Sequence, residues 1–181
     1  MDKLKFFEAC EIIGKDRERN GIGTLGEKTL HAVLKRYFEG DESGHEVKIG
    51  RYVADIFSED RIIEIQTRGF DRLRDKLKVF LSYADVTVVY PIARTKYLCW
   101  IDEETGEVSK KRKSPKVGRV YDAFEELYKI KFLLSNPSLR ICLVLLELTE
   151  YRRLNGWSED KKKGSTRFER IPDGIVDEIY I

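Results

Sequence analysis

The stretch Arg51–Thr67, RYVADIFSEDRIIEIQT, constrains the fold more than any other part of the sequence. Two runs rich in Val, Ile, Tyr and Phe flank the polar segment Ser58–Arg61, the pattern of a β-hairpin. With Ser58–Arg61 as a four-residue loop, Phe57 lies opposite Ile62, Ile56 opposite Ile63, and Asp55 opposite Glu64. Directly opposed side chains have Cβ atoms roughly 4.5–5.5 Å apart, and like charges there are destabilising. The two carboxylates therefore need a countercharge. A divalent cation meets that need, because Mg²⁺ is commonly held by one or two carboxylates together with water and substrate phosphate. Strand alternation places Gln66 on the face of Glu64, and Ala54, Ile56, Ile63 and Ile65 on an opposite, buried face.

A chain of 181 residues with 41% hydrophobic content can bury a full core, as one domain or as one domain with an appendage. No apolar run approaches the roughly 20 residues of a membrane-spanning helix, and MDKLKFFEACEII lacks a secretory pattern. The expected setting is cytoplasmic, with no membrane. Lys+Arg 34 against Asp+Glu 32 leaves a formal charge of +2, so any nucleic-acid surface must come from segregation of charge rather than from its total. Cys10, Cys99 and Cys142 form no C-x-x-C pair, which argues against a zinc site or a disulfide framework.

Lys3–Ile13 reads as a short helix with Leu4, Phe7 and Cys10 inward, followed by the loop GKDRERNGIGTLGEK. Gly21, Gly23 and Gly26 satisfy G-x-G-x-x-G, but the charged KDRERN before them is unlike the strand that a phosphate-cradling loop requires. A helix over Leu25–Phe38 has Leu30, Val33, Leu34, Tyr37 and Phe38 at helical spacing, and Glu27 lies on that stripe. A carboxylate on an apolar face needs a partner, although acids also favour helix N-termini. His31, one turn on, is within reach of Glu27 and reads as structural. His45–Gly50 is a short strand leading into the hairpin, in whose turn Glu59 and Asp60 are solvated. Phe70–Tyr83 is a helix with Leu73, Leu77, Phe80, Leu81 and Ala84 on one side and Arg72, Arg74, Lys76 and Lys78 elsewhere. Asp85–Ile92 is a strand covered on both faces and stopped by Pro91.

That order, with Glu27 in the first helix of the core, Asp55 late in the second strand and Glu64-Ile65-Gln66 in the third, resembles the PD-(D/E)XK, or restriction-endonuclease-like, nuclease superfamily over roughly residues 21–92. The resemblance implies an α/β fold whose mixed central sheet is flanked by helices. It also implies Mg²⁺ or Mn²⁺ as cofactor and hydrolysis of phosphodiester bonds. By position, Asp55 and Glu64 become metal ligands, the Ile65 carbonyl a third, and Glu27 a ligand directly or through water. Gln66 orients the attacking water. Gln66 stands where the family usually has lysine, and Lys48, Lys76 or Lys78 are the possible substitutes. The expected function is a DNA endonuclease, with RNA not excluded and a homodimer favoured for double-strand cutting. A fold-keeping nucleic-acid-binding protein without activity is the alternative, and a nucleotide- or phosphate-binding protein using Gly21–Gly26 is a third.

In the second half, Tyr97–Asp102 reads as a short strand with Cys99 inward and Val120–Leu134 as an amphipathic helix containing Phe124, Leu127, Tyr128 and Leu134. Leu139–Leu148 is a buried strand extending the same sheet. The division is thus residues 1–149 as the nuclease-like α/β domain and 150–181 as a basic, aromatic C-terminal extension. Lys110, Lys111, Arg112 and Lys113, with Lys161, Lys162 and Lys163, are the expected phosphate contacts, because neutralising backbone charge supplies most non-specific DNA affinity.

Overall fold

The computed structural model describes residues 1–20, 29–102, 104–153 and 167–181. Helices α1 (Lys3–Asn20) and α2 (Thr29–Phe38) precede a meander of β1 (His45–Ile49), β2 (Tyr52–Ser58) and β3 (Arg61–Ile65). A 3-10 turn at Phe70–Leu73 leads into α3 (Arg74–Phe80) and then the long β4 (Asp85–Ile101). After β5 (Arg112–Lys113) come a 3-10 turn at Val120–Ala123, α4 (Phe124–Lys129), β6 (Leu139–Arg153) and β7 (Arg167–Tyr180). The strands form one mixed sheet in the order β1-β2-β3-β4-β6-β7, with β5 alongside β4. β3, β4 and β6 run parallel, and the outer pairings are antiparallel. Apolar residues of α1 and α2 cover one face, and those of α3, α4 and the turns before them cover the other. The fold is mixed α/β, with helices flanking a seven-stranded sheet.

The hairpin pairs Ile56 with Ile63 and Phe57 with Ile62 as the alternation predicts. Its loop is two residues rather than four, because Ser58 and Arg61 also pair. Glu59 and Asp60 have φ of 50° and 58°. Left-handed conformation at both central residues is the type I′ geometry, whose twist matches that of the flanking strands. The ladder ends at Ile56–Ile63, so Asp55 and Glu64 lie where β2 and β3 separate. Ile56, Ile63 and Ile65 pack together on the α1/α2 side, but Ala54 packs with Ile62 on the α3/α4 side. Asp55 thus marks the point at which β2 passes from one core to the other, and the single apolar face expected for Ala54 and Ile56 is corrected.

Two helices also differ from expectation. α1 runs on through Gly14, and its buried residues are Phe6 and Ala9, while Leu4 and Phe7 are exposed. Phe6, Ala9 and Ile13 lie at i, i+3 and i+7 and meet α2 and β7, so tertiary contact overrides the polar appearance of the segment. The helix expected over Val120–Leu134 shortens to α4 and its preceding turn, with Ala123, Leu127 and Ile130 inward. Phe124, Tyr128 and Leu134 are exposed. Glu126 caps the turn across the domain, accepting from Phe70 N at 2.9 Å.

Pro91 does not stop β4, and Tyr97–Ile101 belong to the same strand. Gln66 N donates to Val89 O, so odd-numbered backbone groups here point towards β3. Pro91 shares that parity and lies past the end of β3, so its missing N–H costs no ladder bond. The boundary at 149/150 falls within β6, and 167–181 of the extension lie in the same sheet, β7 pairing with β6 from Arg152–Arg167 to Cys142–Tyr180.

Candidate active site

Asp55 is held before any ligand arrives. Its Oδ2 accepts from Ile65 N at 2.7 Å, taking the place of the ladder bond that the separating strands have lost. His31 of α2 brings Nε2 within 3.2 Å of the same oxygen and 3.2 Å of Ile65 O. With its proton on Nε2, the ring ties α2 to both strands. His31, read from the sequence as structural, therefore contacts Asp55 and Ile65. Its place beside Leu30 on the buried stripe, one turn from Glu27, was the available signal.

Glu64 is 3% exposed, on the opposite side of the sheet from His31. Lys76 of α3 donates through Nζ to Glu64 Oε1. Glu64 Oε2 is buried and has no hydrogen-bond partner among the described residues. Burial pushes the carboxyl up to about 7 and the neighbouring Asp55 charge adds to the rise, while Lys76 opposes both. An orphaned carboxylate oxygen beside a second carboxylate is a place for a cation. Asp55 lies near enough to Glu64 for its charge to raise the Glu64 carboxyl, and the two acids with the Ile65 carbonyl beside Asp55 are the groups that could hold a hard divalent ion keeping water or phosphate in its other positions. Among the described residues no group of three His, Cys, Asp or Glu is spaced to hold a metal by itself.

Of the candidate lysines, Lys76 reaches an acid of the pair. Lys48 is exposed on β1, and Lys78 pairs with Asp75 at 3.3 Å. Gln66 is half-buried, and its Nε2 donates to Arg68 O at 2.6 Å, which commits the amide nitrogen to the following loop rather than to Asp55 or Glu64. Glu27, Gly21–Gly26 and Lys161–Lys163 lie outside the described residues. In the basic loop, Lys110, Arg112 and Lys113 are exposed. Lys111 pairs with Asp173 at 3.0 Å and lies over the Tyr97 ring.

A second charged cluster went unforeseen. Glu150, fully buried on β6, meets Lys96 at 3.6 Å, Arg152 at 2.6 Å and Arg170 at 3.3 Å. Its signal was alternation, since Leu146, Leu148 and Glu150 occupy successive inward positions of one strand. Lys96 and Arg170 also line a cleft of about 580 Å³ whose other walls include Leu30, Thr67 and Tyr121. Leu30 adjoins His31 and Thr67 follows Gln66, so cleft and acid pair are neighbours.

A protein of Treponema pallidum (strain Nichols), described as uncharacterized, is 34% identical over 150 residues, which cover 82% of this chain and 57% of that relative. The chain thus spans little more than half the length of the relative it matches. No solved structure matches. A family model matches residues 28–181, from the start of α2 to the end of β7, and the chain belongs to the family described as a domain of unknown function, DUF8091.

Proposed function

We propose that the protein is a metal-dependent nuclease that hydrolyses phosphodiester bonds in DNA, built on a restriction-endonuclease-like core. The observation that carries this reading is the nearness of the Asp55 and Glu64 carboxylates where β2 and β3 separate, with Glu64 Oε2 lacking a partner among the described residues. Those groups would hold Mg²⁺ or Mn²⁺, with Glu27 as a further ligand directly or through water. A bound ion supplies a water of lowered pKa and polarises the phosphoryl oxygen. His31 and Ile65 N orient the Asp55 carboxylate in advance, the support that metal-ligating carboxylates need. Lys76 brings to Glu64 the positive charge that Gln66 lacks, and partial burial strengthens its pull on a phosphate oxygen.

A second reading, a nucleic-acid-binding protein that keeps the fold without activity, draws support from two contacts. Lys76 occupies Glu64 Oε1, and Gln66 Nε2 is turned to Arg68 O. Supercoiled and branched DNA, incubated with Mg²⁺ or Mn²⁺, separates the two. The nuclease reading expects nicking that Glu64→Gln and Lys76→Met each reduce by about 100-fold or more. Metal-dependent nicking that survives Asp55→Asn or Glu64→Gln overturns the site. Absence of cleavage together with salt-sensitive binding selects the second reading.

A further inference from the structure

We propose that the cleft beside the acid pair is a pocket for one unpaired nucleotide of the strand to be cut. The strand's position relative to Asp55 and Glu64 rests on the nuclease reading, but the pocket's own preference does not. Thr67 is three residues from Glu64, at most about 11 Å of extended chain. The cleft floor includes Tyr90–Ala93, where β4 continues past the end of β3, so the pocket opens at the carboxyl end of a parallel strand. Its volume of about 580 Å³ lies within the range of small-ligand sites and is too small for stacked base pairs.

The lining combines basic, aromatic and acidic groups, the chemistry that a nucleotide's phosphate and base call for. Lys96 and Arg170 approach from the sheet, both held by the buried Glu150 carboxylate, and exposed Lys116 approaches from the loop after β5. These are the phosphate contacts. The lining also includes Tyr121, 72% exposed and 5.9 Å from the Phe124 ring, and Tyr90, fixed edge-on by Phe70. Aromatic side chains of this kind stack on any base. Asp122 and Glu125 also line the cleft, where carboxylates can accept from exocyclic amino groups. A base paired within a duplex cannot reach such a wall; an unpaired one can enter without the cost of unpairing.

Fluorescence anisotropy in EDTA, where no metal-dependent cleavage occurs, tests the pocket. The probes are DNA and RNA versions of a fully paired duplex, the same duplex with one unpaired nucleotide, a single strand, and a free mononucleotide as competitor. Wild type should bind the unpaired and single-stranded probes about five-fold or more tightly than the paired duplex. Tyr121→Ala and Lys116→Ala, both at exposed side chains and checked by thermal melting, should remove that preference. Equal affinity for all the strands, preference retained by both variants, or mononucleotide binding as tight as that of the unpaired strand overturns the proposal. Preference without cleavage in Mg²⁺ supports the pocket and fails the nuclease reading; cleavage of paired duplex without preference does the reverse.

Discussion

Lys76 Nζ donates to Glu64 Oε1, so a charge on α3 is pinned to a buried carboxylate on β3. One carboxylate oxygen is answered, and the other has no hydrogen-bond partner among the described residues. The stability of this junction therefore depends on pH.

Glu64 has its carboxyl raised from 4.5 to about 7, chiefly by burial. A group raised in this way holds its proton more tightly when folded, so its favourable contribution is complete below about pH 4.5 and is lost as pH rises through 7. Denaturant unfolding in EDTA should show stability falling by about 3 kcal/mol between pH 4 and 8 from this group. Glu64→Gln should flatten that slope, and Mg²⁺ at pH 8 should raise the Tm of wild type but not of Glu64→Gln. Lys76→Met leaves the carboxylate unpaired and should cost about 3 kcal/mol at pH 8, and less at pH 5.

Asp55 has a structural duty separable from chemistry. Asp55→Ala removes the acceptor of Ile65 N and should destabilise by about 1–3 kcal/mol. Asp55→Asn retains a carbonyl oxygen for that bond and should melt near wild type while losing metal-dependent nicking. Paired melting and nicking assays check both; equal melting of the two variants contradicts the assignment.

The two-residue hairpin turn carries left-handed Glu59 and Asp60, a conformation that side chains other than Asn, Asp and Gly adopt at a cost. Glu59→Asn with Asp60→Gly should raise stability by about 1 kcal/mol, measured by urea unfolding, without altering nucleic-acid binding.

Gly118 packs directly against β4, its N–H donating to Ala93 O at 3.0 Å. A Cβ there would stand 2.4 Å from Ala93 O and 2.8 Å from Ile92 Cγ2. Gly118→Ala should cost about 1–3 kcal/mol in thermal or chemical unfolding and displace the loop that lines the cleft.

Local pattern determined the elements that carry their own periodicity. Alternation in β2 and β3 set the Ile56–Ile63 and Phe57–Ile62 register, because a slip by one residue would turn every apolar side chain to the wrong face. The stripe Leu30, Val33, Leu34, Tyr37 marked α2, and the run from Leu139 marked β6. Tertiary structure alone decided the rest. α1 passes Gly14 because Phe6 and Ala9 find α2 and β7, and β4 passes Pro91 because β3 has already ended. β7 forms along β6, the strand before it, although its largely polar sequence carries no clear strand alternation. Of the three lysines considered beside Gln66, the packing of α3 brings Lys76 to Glu64. Burial of Leu73, Leu77 and Phe80 fixes the helix's rotation, and that rotation carries Lys76 to Glu64 while leaving Lys78 in solvent.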